Sequence, residues 1–179
     1  MATWTDLRER FPFLDYLEQH VDTFREEVDT LPLDVWTAMP SEENYQGAWR
    51  AFPLALGAWV HEFPGANLAK NRLRCPRTAA LLDQIEGLGI GGFLRLEEGA
   101  VIHPHRDLRD DHELRVHLGL RLPPHERAYW PEGTARVMDI RMEHEARNPG
   151  PGPRIALMVD VRMPYVIPDN VLPRWGAPA

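Results

Sequence analysis

Leu14, Leu17, Val21, Phe24 and Val28 recur at steps of three and four residues, which gathers them on one face and predicts a helix over residues 5–30. Pro32 ends that pattern, and Pro40-Ser41-Glu42-Glu43-Asn44 reads as a loop. The segment from Gly47 to Phe63 carries Trp49, Phe52, Leu54, Leu56, Trp59 and Val60, an apolar stretch whose spacing decides for neither helix nor strand. Cys75-Pro76-Arg77-Thr78 precedes a second helix expected over 77–86, with Leu81, Leu82 and Ile85 on its buried face. From Gly87 onward the period shortens. Val116, Leu118, Leu120 and Leu122 alternate with His117, Gly119 and Arg121, and Ile155, Leu157, Val159 and Val161 alternate with Ala156, Met158 and Asp160. Alternate side chains of a strand leave opposite faces, so each of these segments packs one face in the core and keeps the other for chemistry.

Helices first and short strands after predict a mainly β fold with flanking helices, built on a double-stranded β-helix core of the jelly-roll or cupin kind. The 179 residues suit a single domain. Its expected parts are a largely helical segment 1–86, a β-helix core 87–167 and an extended proline-rich tail 168–179.

Composition narrows the function. Hydrophobic residues make up 44% of the chain, enough apolar material to fold unaided. A net charge of −7 argues against a nucleic-acid partner or a membrane surface. Lys70 is the only lysine, so positive charge is almost all arginine, the side chain that grips planar carboxylates at two points. Cys75 is the only cysteine, which excludes an internal disulfide and a cysteine-based zinc site. No apolar run approaches the roughly 20 residues of a membrane span. The opening Met-Ala-Thr-Trp-Thr-Asp has no signal-peptide character. A cytoplasmic protein is expected, and nothing in the pattern specifies an oligomeric state.

The candidate chemistry centres on Ile102-His103-Pro104-His105-Arg106-Asp107. His105 and Asp107 are two apart, so in an extended segment they leave the same face and can share one ion. His144, after the turn Pro131-Glu132-Gly133, is a second candidate histidine. Two histidines and a carboxylate on one face of an iron make the facial triad of non-haem Fe(II) oxygenases, with positions left for a bidentate cosubstrate and O2. A zinc hydrolase uses similar donors, and a surface ion pair beside an ordinary core histidine is the plainer alternative. Arg154 heads the strand 154–161, where its guanidinium can clamp the far carboxylate of 2-oxoglutarate or, more plainly, pair with an acid at the barrel rim. Arg115 and His117 share the face opposite Val116 and Leu118 and so point toward the metal. His117 alternatively orients a ligand by a hydrogen bond. His144-Glu145 does not open a metalloprotease H-E-x-x-H helix, because Asn148 stands where the second histidine belongs.

From about Tyr45 to Pro164 the chain resembles the aspartyl/asparaginyl β-hydroxylase family of 2-oxoglutarate oxygenases. The resemblance is carried by Tyr45-Gln46-Gly47-Ala48-Trp49 with Phe52 and Leu54, Cys75-Pro76-Arg77-Thr78 with Leu81-Leu82, and Pro104-His105. Leu114-Arg115-Val116-His117-Leu118-Gly119-Leu120, Glu132-Gly133 with Asp139, His144-Glu145, Arg154 and Val159-Asp160-Val161 complete it. It implies iron-binding positions at His105 and His144, a cosubstrate-carboxylate position at Arg154, further 2-oxoglutarate contacts at Arg115 and His117, and a bracing role for Asp139. The animal members have glycine where Asp107 stands, whereas bacterial relatives keep the carboxylate, which implies hydroxylation rather than halogenation. They also have an arginine where Glu113 stands, a departure that counts against an aspartate substrate and favours one with an amine, guanidinium or neutral group nearby. The expected partner is an amino acid, free or in a short peptide, hydroxylated at an unactivated carbon, with Glu113, His103, Arg106 and Trp49 as candidate substrate contacts. A cupin-like binding protein without turnover is the competing reading from outside enzymology.

Overall fold

The computed structural model describes residues 8–40, 42–57, 63–107 and 110–167. Helices α1 (Phe13–Gln19) and α2 (Val21–Val28) replace the single long helix expected, broken at His20, whose backbone leaves the helical region at φ −105°, ψ 12°. The predicted face survives the break: Leu14, Leu17, Phe24 and Val28 are buried, and Val21 packs against them half-buried. The break has a packing reason. It lets each short helix follow a different strand of a twisted sheet, α1 against β7 (Ala135–Met138) and α2 against β6 (Glu113–Arg121).

The strands begin well ahead of the change expected at Gly87. β1 (Thr37–Ala38), β2 (Tyr45–Gln46) and β3 (Trp49–Leu56) precede it. The undecided apolar stretch is therefore a strand as far as Leu56; Trp59 and Val60 lie outside the described residues, as do the start of the first predicted helix and the tail 168–179. Helix α3 (Leu68–Arg74) was not foreseen, and α4 (Pro76–Leu82) stops four residues before the expected end, with Ile85 buried in the turn beyond it. The buried Glu27 explains the Cys75-Pro76-Arg77-Thr78 segment. Its carboxylate accepts the free backbone N–H groups of Arg77 at 3.0 Å and Thr78 at 2.8 Å, capping α4 where the helix dipole favours negative charge.

The remaining elements are β4 (Leu88–Leu96), β5 (Val101–His105), the one-turn helix α5 (Pro124–Arg127), β8 (His144–Arg147) and β9 (Arg154–Arg162). Six strands form a large sheet in the order β1-β3-β4-β9-β6-β7, and three form a small sheet in the order β2-β5-β8. Every pairing is antiparallel. The chain steps from the large sheet to the small one and back three times, through β1-β2-β3, β4-β5-β6 and β7-β8-β9. That winding is the predicted double-stranded β-helix.

The main core, with Phe24, Phe52, Phe93, Leu118 and Leu157, lies between the large sheet and the helices. β3 and β4 approach closely there: a Cβ on Gly92 would sit 2.5 Å from the Phe52 carbonyl oxygen. The opposite face of the large sheet turns toward the small sheet and carries Arg115, His117, Met158 and Asp160, as the alternation requires. In β9 both faces are buried, so the strand's second face is a cavity wall rather than a solvated surface.

Candidate functional site

β5 and β8 are neighbours in the small sheet, and their register sets His105 directly against His144. The two rings lie 4.2 Å apart between centroids. His105 Nδ1 is 2.8 Å from the carbonyl of His103, and His144 Nδ1 is 3.0 Å from the carbonyl of Met142. A carbonyl only accepts, so each Nδ1 carries the proton and each Nε2 keeps its lone pair for a metal. Asp107 follows the end of β5, its backbone N–H donating to Ile140 O at 2.9 Å. One ligand atom from each of His105, Asp107 and His144 lies within 4.8 Å of the other two. Side chains from two distant parts of the sequence thus converge on one point.

Arg115, on β6, holds the carboxylate in place. Its Nη1 donates to Asp107 Oδ2 at 2.5 Å, while Nε and Nη2 donate to Asp160 on β9 at 2.7 and 2.8 Å. Burial opposes the guanidinium charge, but the two carboxylates outweigh it and hold Arg115 above its ordinary pKa. Burial pushes His144 below its usual value; the Met142 carbonyl and Asp107 act against that shift, and His105 and Arg115 act with it. His117, on β6 beside the triad, is driven well below the ordinary histidine range by burial, then by Arg154, Arg115 and His144. Neutral imidazoles are the metal-binding form. Two neutral imidazoles and one carboxylate suit a divalent first-row ion such as Fe(II).

A cavity of about 350 Å³ opens beside these groups. Arg154 lines it, with only 5% of its side chain exposed, and is gripped through Nε by the equally buried Glu126 at 2.8 and 3.0 Å. Its guanidinium carbon stands 5.1 Å from the centre of the Trp130 ring, a cation–π contact. Glu126, Trp130 and Asp160 escaped the sequence reading. Glu126 sits in Pro123-Pro124-His125-Glu126-Arg127, which reads as a polar surface turn, and only the single turn of α5 carries it inward. Asp160 had a signal, since it alternates inward with Met158 and pairs in register with Arg115.

Of the candidate substrate contacts, Trp49 lines the cavity. His103 and Arg106 do not; both are exposed, because a register irregularity between Ile102 and His105 breaks the alternation of β5 and the chain leaves the sheet after His105. Glu113 is also outside the lining and faces Arg162, with Oε1 3.5 Å from Nη1. Asp139 braces the turn before His144, accepting the Arg141 side chain at 2.9 and 3.1 Å and the Arg141 backbone N–H at 3.2 Å. No helix among the described residues is long and apolar enough to cross a membrane.

An ornithine lipid ester-linked acyl 2-hydroxylase of Rhizobium tropici is 33% identical over 122 residues, 63% of this chain and 43% of that protein. An aspartyl/asparaginyl beta-hydroxylase of Mus musculus is 28% identical over 147 residues, 74% of this chain and 19% of that protein. The chain thus spans less than half the length of either relative. Among solved structures, a prolyl-4-hydroxylase of Pseudomonas putida superposes with a TM-score of 0.44 at 14% identity, covering 83% of this chain and 88% of that one. Residues 18–164 match the profile of a family described as Aspartyl/Asparaginyl beta-hydroxylase, and the chain belongs to that family.

Proposed function

We propose that the protein is an Fe(II)- and 2-oxoglutarate-dependent dioxygenase that hydroxylates an unactivated carbon of an amino acid, free or within a peptide. The observation that carries this reading is the convergence of His105, Asp107 and His144, with both imidazole tautomers fixed by backbone carbonyls. Both relatives are hydroxylases by name but of different substrates, an acyl chain in one and aspartyl or asparaginyl residues in the other. The shared chemistry supports hydroxylation and leaves the substrate to the cavity.

In this reading His105, Asp107 and His144 hold the iron, and Arg154 pairs with the distal carboxylate of 2-oxoglutarate. Iron and its ketoacid would supply the oxidising power: 2-oxoglutarate would lose CO2 and take one oxygen atom of O2 to become succinate, and the other oxygen atom would enter the substrate C–H bond. The protein's share is position and shielding. Glu126 and Trp130 fix the guanidinium before the cosubstrate arrives, so little side-chain freedom is lost on binding. Arg115 keeps Asp107 aimed through the contact from its Nη1. His117, kept uncharged, can donate a hydrogen bond toward the cosubstrate without adding positive charge beside the metal.

The test is anaerobic titration with Fe(II) and 2-oxoglutarate, which should produce a weak visible charge-transfer band. His105→Ala and His144→Ala should each abolish the band and succinate formation. Full turnover in either variant would falsify the ligand assignment. Activity restored to metal-stripped protein by zinc and not by iron would favour a hydrolase, and ligand binding without succinate release would favour a binding protein.

A further inference from the structure

We infer that the carbon presented to this site belongs to an uncharged aliphatic group of the substrate, an inference that rests on the oxygenase reading above. The cavity divides into two halves of different chemistry. One half carries the basic groups of its lining: His105, Arg115, His117, His144 and Arg154. Their contacts are committed. Arg115 holds Asp107 and Asp160, Arg154 holds Glu126 and in the reading above takes the cosubstrate, and the histidine pair faces the metal.

The other half is lined by Met39, Trp49, Phe63, Ile90, Leu94 and Met158. Leu94 and Met158 are buried together with Ala51, and Met39, Phe63 and Ile90 pack against them as a cluster separate from the main core. Ile90 and Leu94 on β4 and Met158 on β9 carry this wall, and Met39 after β1, Trp49 at the start of β3 and Phe63 complete it. A carboxylate or guanidinium entering it would lose its hydration and meet no opposite charge among the described residues of that wall. The exposed Glu145 at the cavity further disfavours an acidic group. An aliphatic group gains from the same burial. Methionine side chains at positions 39 and 158 adapt to the shape of such a group.

An aliphatic group reaches an enzyme from two sources, the side chain of an amino acid or a fatty acyl chain, and the test separates them. Iron-loaded protein with 2-oxoglutarate is given L-isoleucine or L-proline in one arm, N-octanoylglycine in a second, and L-aspartate or L-arginine in a third. Succinate release and a product heavier by one oxygen are read in each. In parallel, binding of 2-oxoglutarate to the iron-loaded protein is measured by calorimetry without oxygen. The expected result is at least a ten-fold rise in succinate over background in the first or second arm, with background in the third. Ile90→Lys, a substitution at a half-buried wall position, should raise KM for the active aliphatic probe at least ten-fold and leave the 2-oxoglutarate Kd unchanged. Hydroxylation of aspartate or arginine in preference to the aliphatic probes overturns the inference, as does silence of every aliphatic probe while 2-oxoglutarate binds. Failure of 2-oxoglutarate to bind overturns the oxygenase reading itself.

Discussion

Replacing Glu126 by glutamine keeps the shape of the side chain and one acceptor oxygen but removes the negative charge facing Arg154. Both members of the pair are only 5% exposed, and Nε contacts the carboxylate at 2.8 and 3.0 Å. The charge left behind on Arg154 therefore has little water to turn to. Breaking a buried pair from one side costs about 3–5 kcal/mol, and the retained amide oxygen puts Glu126→Gln near the lower end. With a urea dependence of about 1–3 kcal/mol per molar, the unfolding midpoint should fall by about 1–3 M. A dicarboxylate that pairs with Arg154 restores the missing charge. Saturating 2-oxoglutarate should therefore raise the midpoint of Glu126→Gln by more than it raises that of the parent. Adding Arg154→Met to Glu126→Gln should recover part of the lost stability while abolishing that extra response. A midpoint within about 0.3 M of the parent, or an equal ligand response in both proteins, would refute the reasoning.

Histidine burial sets a pH dependence in metal-free protein. His117 and His144 have folded pKa values below the 6.5 they regain on unfolding, so the unfolded chain binds more protons in acid. Their contribution to stability is whole above pH 6.5 and declines below it, by about 1.4 kcal/mol per pH unit for each histidine. Urea midpoints between pH 7 and 5 should fall accordingly, and His117→Asn should flatten the slope; an unchanged slope in the variant contradicts the assignment. Glu27→Gln weakens the cap of α4, whose two backbone donors rest on a charged acceptor, and should cost about 1.5–3 kcal/mol by the same assay. The Cys75 thiol is fully buried and pushed up to about 12 by that burial, so it should resist alkylation at pH 8 until the protein is unfolded.

The parts of this fold that could be read in advance are those where one periodic signal decides the outcome. β6 and β9 show a two-residue alternation long enough to fix both the strand and its inward face, and that set Arg115, His117 and Arg154 along the cavity with His105, Asp107 and His144. His105 and Asp107 also lie together, although Asp107 stands just past the end of β5 and not within the strand. The failures are equally local. Leu14 to Val28 keep a helical period straight across the break at His20, because apolar spacing reports a face and not a bend. β3 was undecided because it is buried on both sides and so shows no alternation. His103 and Arg106 were chosen by nearness in sequence to His105 and Asp107, and the register irregularity of β5 between Ile102 and His105 takes His103 off the face its spacing suggests. Glu126 and Trp130 reach Arg154 only through the return of α5 over the large sheet, and no local pattern encodes a contact across 28 residues.

The fork of Arg115 constrains how Asp107 can serve a metal. One carboxylate oxygen is already spent on a guanidinium that is itself locked to β9, so the aspartate offers a bound ion a single tooth. A second bond from the same carboxylate would have to pull a charged contact apart inside the protein. An ion bound to His105, Asp107 and His144 would thereby be held by the chain at three points, and the rest of its coordination shell would stay open to exchangeable small molecules.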